Sequence, residues 1–113
     1  MGALAEATKE NFRDLVATGV VLVDVWGPQC APCIALMPDV ERLAASRSDL
    51  NVVKLDSTKA RRLCIELRVM GLPAFLLFRD GQELGRLAAP DLNAARLVEW
   101  LDATLHANGK EVH

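Results

Sequence analysis

The chain has 113 residues, 51% of them hydrophobic, with 13 basic and 15 acidic side chains for a net charge of −2. That length suits a single domain with a real core, residues 1–113 as one unit ordered from about 8 to 105. No basic block or stripe is present, which excludes a nucleic-acid footprint, and no apolar run nears the roughly 18 residues of a membrane span.

Residues 1–10 lack a basic leader region and a long apolar stretch, so no secretory signal is expected and the expected location is cytoplasmic. There, three cysteines speak for catalytic, metal-binding or inert thiols rather than a disulfide framework. The first seven residues are weakly patterned and suit a frayed end or a brief edge strand. Thr8 reads as the N-cap of a helix from Lys9 to Thr18. Phe12, Leu15 and Val16 fall at helical spacing, and Gly19 is its stop. Apart from Asp24, Val20–Trp26 is a continuous β-branched and apolar run, the pattern of a strand covered on both faces. Gly27-Pro28 ends it.

Cys30-Ala31-Pro32-Cys33 follows, at the start of a helix that runs to about Ser46. Its apolar stripe is Cys33, Leu36, Met37, Val40, Leu43 and Ala44, which turns Cys33 inward and leaves Cys30 at the exposed start. Two thiols so spaced on a first helical turn can close a small disulfide ring, and the partial positive charge of the helix N-terminus favours a thiolate at Cys30. Thiol–disulfide exchange is the chemistry this arrangement fits. Pro32 removes an N–H that has no intrahelical partner in any case. Pro38 removes one that would have a partner, so a kink is expected there.

Asn51–Leu55 reads as a second strand. Ser57 or Thr58 caps a helix to about Arg68, with Leu63, Leu67 and Cys64 inward. Ala74–Phe78 is a third strand, Arg79-Asp80-Gly81-Gln82 a turn, and Glu83–Ala88 the returning strand of a hairpin. Asp91 or Asn93 opens a last helix with Ala94, Leu97, Val98, Leu101 and Leu105 on one face and Trp100 packed beside it. Residues 107–113 are polar and read as a flexible tail. Helices alternating with strands, then a hairpin, predict an α/β fold with a central mixed sheet flanked by helices on both faces.

Four separated features now meet in one order: Val23-Asp24-Val25-Trp26 leading into the cysteine pair, Pro38 in the next helix, Lys54 in the second strand, and Gly71-Leu72-Pro73 before the third. Together they make the chain resemble the thioredoxin family over about residues 8 to 105. The resemblance implies the thioredoxin fold, a cis Leu72–Pro73 bond beside a redox-active Cys30–Cys33 disulfide, and no cofactor. It implies a protein-disulfide reductase that carries electrons from a thioredoxin reductase or a dedicated donor to disulfide-containing proteins, as a monomer. Cys30 is then the nucleophile, Cys33 the resolving thiol, Asp24 the base for Cys33, and Pro73 the residue whose loop meets the substrate. Trp26, Pro32 and Lys54 support them.

Asp24 stands in an apolar strand, where an unpaired carboxylate is costly, so it needs a raised pKa or a partner such as Lys54. The plainer alternative is an aspartate facing solvent at a strand end. A zinc site would need about four ligands, and beyond Cys30 and Cys33 only Cys64, His106 and His113 remain, so no metal is expected. Cys64 reads as a small core residue or a regulatory thiol. Gln29, Ala31, Ile34, Ala74 and Ala88-Ala89-Pro90 depart from the family pattern on the surface around the cysteines. They suit a specialised partner, or a thioredoxin-fold adaptor whose redox role is secondary.

Overall fold

The computed structural model describes residues 4–110. Five strands form one sheet in the order β1-β3-β2-β4-β5, with β1 Ala5–Ala7, β2 Val20–Trp26, β3 Asn51–Asp56, β4 Ala74–Arg79 and β5 Gln82–Ala88. β1 and β2 pair with β3 in parallel, and β4 pairs antiparallel with both β2 and β5. The brief edge strand expected at the N-terminus is therefore β1. Tight turn geometry returns the chain from β4 to β5, with Asp80 at φ 50° and Gly81 at φ 86°.

Strand alternation divides the core in two. Val21, Val23 and Val25 of β2 pack with Phe12, Val16, Leu63 and Leu67 on one face. Leu22 packs with Leu36, Val40 and Leu43 of α2 (Ala31–Ser46) and with Leu97 and Leu101 of α4 (Ala94–Leu105) on the other. Each such buried aliphatic side chain contributes about 1.5–3 kcal/mol of burial free energy. The α2 stripe lies as read, with Cys33, Leu36, Val40 and Leu43 buried, and α2 runs through Pro38 as one element. On α4, Asn93 is the cap, its side chain accepting from the Arg96 N–H. Val98 does not join the inner face. It is 36% exposed, because one step past Leu97 turns it about 100° around the helix, away from the sheet.

Three further expectations need correction. The first helix, α1, is only Phe12–Leu15. Thr8 does close its entry, its hydroxyl accepting from the Asn11 N–H at 3.1 Å. The chain after Val16 is taken by the β4–β5 turn instead: Gly81 N–H donates to the Val16 carbonyl at 2.8 Å and Asp80 N–H to the Gly19 carbonyl at 2.9 Å. The segment after β3 is not one helix to Arg68. It is a 3₁₀ turn, Ser57–Lys59, followed by α3, Arg61–Glu66. Its cap is Asp56 rather than Ser57 or Thr58. The buried Asp56 carboxylate accepts from the Thr58 N–H at 2.9 Å and the Thr58 hydroxyl at 2.7 Å.

The polar C-terminal stretch begins with a π-helical turn, His106–Lys110. The Asn108 carbonyl accepts from Arg79 at 2.7 Å, and its side chain donates to the Thr104 carbonyl at 2.8 Å. Residues 111–113, His113 among them, lie outside the described residues. Among the described residues no helix is long and apolar enough to cross a membrane.

Candidate active site at the end of the central strand

β2 is the middle strand, and its carboxyl end opens directly onto the cysteines. Trp26 is its last residue, and Gly27-Pro28-Gln29 carries the chain to Cys30. Cys30 is the N-cap of α2, in extended conformation, and its sulfur accepts from the Cys33 N–H at 3.2 Å. That bond uses one of the N–H groups a helix start leaves without a partner. Cys30 and Cys33 are joined as a disulfide, with Cα atoms 5.2 Å apart. Cys30 is half-buried and Cys33 is 2% exposed. One sulfur therefore meets solvent while the other faces the core. Pro32 sits within the first helical turn, exposed, where its missing N–H costs nothing.

Asp24 is 2% exposed. Alternation along β2 places it with Leu22 on the face covered by α2, the helix that carries Cys33. The alternative of an aspartate in solvent is thereby removed. Burial pushes its pKa up, and the charge of Lys54 pulls it partly back, leaving it at about 7. Lys54 is its register partner on β3. The Lys54 ammonium also lies 5.7 Å from the centre of the Trp26 ring, within cation–π reach. Among the described residues the buried Trp26 indole N–H has no hydrogen-bond partner.

The Leu72–Pro73 peptide bond is cis. Pro73 is buried and directly precedes Ala74, which pairs with Val25 across the β2–β4 ladder. Antiparallel pairing thus brings the start of β4 to the same end of the sheet as the cysteine loop. Gly27 closes the arrangement. A Cβ on it would stand 3.3 Å from the Ser57 hydroxyl and 3.4 Å from a Leu72 methyl. Glycine thus lets the end of β3 and the Leu72 loop close around the cysteine loop. In the sequence Gly27 reads only as a strand breaker, since neither neighbour is local.

Among the positions around the cysteines that depart from the family pattern, Gln29 and Ala31 are exposed and Ile34 is 48% exposed, whereas Ala74 is not on the surface as expected but buried, because it pairs with Val25 inside the β2–β4 ladder. Cys64 is buried, and burial raises its thiol pKa. His106 is exposed. Among the described residues no three His, Cys, Asp or Glu side chains cluster so as to hold a metal ion.

The family model described as Thioredoxin matches residues 3–103. The chain belongs to the thioredoxin family. It is 42% identical over 95 residues to a thioredoxin of Acetoanaerobium sticklandii, an overlap covering 81% of this chain and 90% of the relative. A thioredoxin of Peptoclostridium acidaminophilum is 41% identical over 91 residues, covering 78% and 83%. Among solved structures, the short form of thioredoxin f from spinach chloroplast superposes with a TM-score of 0.82 at 26% identity, over 91% of this chain and 94% of that one. Family membership and the bonded cysteine pair make this thioredoxin-family chain a thiol–disulfide oxidoreductase with a protein-disulfide reductase role.

Proposed function

We propose that this thioredoxin-family protein is a one-domain, monomeric electron carrier of the cytoplasm. It reduces disulfides of other proteins and is itself reduced by a thioredoxin reductase or a dedicated donor. The reading is carried by one observation: a half-buried and a fully buried cysteine are joined as a disulfide at the start of α2, the helix that covers the sheet face holding the desolvated Asp24.

In the reduced protein the Cys30 thiolate is favoured by the helix N-terminus and by the Cys33 N–H that already points at its sulfur. It attacks one sulfur of the partner's disulfide. A bond forms between Cys30 and that sulfur, the partner's S–S bond breaks, and its other sulfur leaves as a thiolate that takes up a proton. Cys33 then gives its proton to Asp24 and attacks the Cys30 sulfur. The Cys30–Cys33 disulfide forms and the partner's second thiolate is released. The protein loses two electrons and the partner gains them.

A carboxylate with a pKa near 7 matches this task, because it can accept and return a proton at neutral pH. Lys54 keeps that pKa from rising further. The turn through Gly71-Leu72-Pro73, level with Trp26, supplies the edge on which the partner's chain docks beside Cys30. Trp26, the last residue of β2, leads directly into the cysteine loop. Gln29, Ala31 and Ile34 are exposed around Cys30 and set which partner fits. An aromatic lost at such a place can remove about 2 kcal/mol or more of binding.

The test is reduction of insulin disulfides, driven by dithiothreitol and separately by NADPH with a generic thioredoxin reductase. The expected result is turnover with dithiothreitol, lost in Cys30→Ser. Turnover with the generic reductase as well would refute a restricted donor. No turnover above the dithiothreitol background would refute the reductase reading in favour of an adaptor.

A further inference from the structure

We propose that Arg86 is a positioning residue for the protein substrate: its guanidinium clamps the C-terminal end of α3 and thereby holds the Val69–Pro73 loop where a partner's chain docks. The inference rests on the reading of that loop as the docking edge.

Arg86 lies on β5, opposite Leu76 of β4. Its side chain reaches past the sheet to the end of α3. Nη2 donates to the Leu67 carbonyl at 2.9 Å and Nη1 to the Arg68 carbonyl at 3.0 Å. The Leu67 carbonyl is one that a helix end leaves without a partner, the Arg68 carbonyl lies one residue past the cap, and a cation there also complements the helix dipole. On its other side Arg86 is fixed by a fork to Glu83, with Nε to Oε2 at 2.6 Å and Nη2 to Oε1 at 2.7 Å. Glu83 is thus the anchor of the clamp, and β5 is its base.

The gripped residue is an unusual one. Arg68 has φ 59°, a left-handed conformation that a non-glycine residue keeps only where its surroundings hold it. That conformation sets the direction in which the chain leaves α3. The Val69 N–H donating to the Cys64 carbonyl at 3.0 Å and Arg86 on the Arg68 carbonyl hold it. From Arg68 the chain runs five residues to Pro73, where the β4 ladder takes over. Between these ends Val69 and Leu72 are partly buried against the core, while Met70 is 94% exposed and Gly71 is exposed. The height of the docking edge is therefore set by that packing together with its two ends. One end is the sheet and the other is Arg86. The planar five-donor fork of arginine suits four simultaneous bonds in a way a lysine cannot.

The experiment compares the reduced wild-type protein with Arg86→Met, Arg86→Lys and Gly71→Glu. It measures second-order rate constants toward insulin and toward 2-hydroxyethyl disulfide, together with amide exchange. The small disulfide needs no docking edge. Arg86→Met is expected to slow the insulin reaction by about tenfold through misplacement, leave the small-disulfide rate within about twofold, and speed exchange only over 67–72. Arg86→Lys is expected to behave like Arg86→Met. An unchanged insulin rate in Arg86→Met, an equal fall on both substrates, or a wild-type rate in Arg86→Lys would overturn the clamp. Gly71→Glu separates the two readings, since a side chain at Gly71 meets no atom within 4 Å of its Cβ and obstructs only what docks there. If it slows insulin reduction while Arg86→Met does not, the clamp alone fails. If neither slows it, the docking-edge reading fails and the clamp with it.

Discussion

Replacing Asp24 by asparagine is expected to stabilise the oxidised protein, and by an amount that depends on pH in a defined window. Burial raises the Asp24 pKa from 3.8 to about 7. The folded state therefore binds a proton that the unfolded state releases whenever the pH lies between those values. Stability contributed by this group is fully present below 3.8, falls as pH rises, and is flat again above about 7. The shift is roughly three units, and at about 1.36 kcal/mol per unit the loss is about 4 kcal/mol. An asparagine side chain has no charge to bury, so Asp24→Asn carries no such loss. Urea unfolding of the oxidised wild type and variant at pH 4, 5.5, 7 and 8.5 measures the difference directly. The variant's advantage should grow with pH by about 4 kcal/mol and level off above 7. An advantage that is the same at pH 4 and pH 8.5 would refute the assignment of the raised pKa to Asp24. The same variant should resolve its mixed disulfide at least about 10²-fold more slowly at pH 7, the usual loss when a positioned base is removed.

Cys33→Ser is expected to accumulate a covalent complex with insulin through Cys30, seen by non-reducing electrophoresis, because attack survives and resolution does not. Asp56→Ala should cost about 1–2 kcal/mol in urea unfolding, since it removes the cap on the Thr58 N–H. Gly27→Ala crowds the Leu72 methyl and the Ser57 hydroxyl; a loss of about 1 kcal/mol is expected, and Gly27→Ala/Leu72→Ala should recover part of it. Cys64 in the oxidised protein should react with a thiol reagent at pH 7 only after denaturant is added, because it is buried and its pKa is raised.

The parts of this structure that were legible in the sequence are those whose cause is local. Val20–Trp26 is a buried strand because six of its seven residues are apolar, and the cysteine pair starts a helix because Pro32 and the following stripe say so. The burial of Asp24 was legible for the same reason, as one carboxylate inside an apolar run. What was not legible depends on contacts between distant segments. α1 stops at Leu15 because the distant β4–β5 turn takes the Val16 and Gly19 carbonyls. Asp56 displaces Ser57 and Thr58 as cap only because β3 runs one residue further than its apolar pattern. Gly27 and Arg86 act on Leu72 and on the end of α3, and no spacing rule joins those positions.

The placement of the chemistry follows from the strand order. β2 lies between a parallel neighbour and an antiparallel one, so its carboxyl end is level with the end of β3 and the start of β4. Three turns therefore converge there: the cysteine loop, the 3₁₀ turn after Asp56, and the cis-proline turn. A central strand is also the most deeply covered. A carboxylate two residues before its end is desolvated without any special pocket, while the residues just past that end reach solvent. Cys30 can thus be open to a macromolecular disulfide when Asp24, six residues earlier, is almost sealed from water. The destabilisation that Asp24 carries at neutral pH follows from the same placement that gives it a pKa useful for moving a proton. Moving the acid to an edge strand such as β5 would relieve the one and abolish the other.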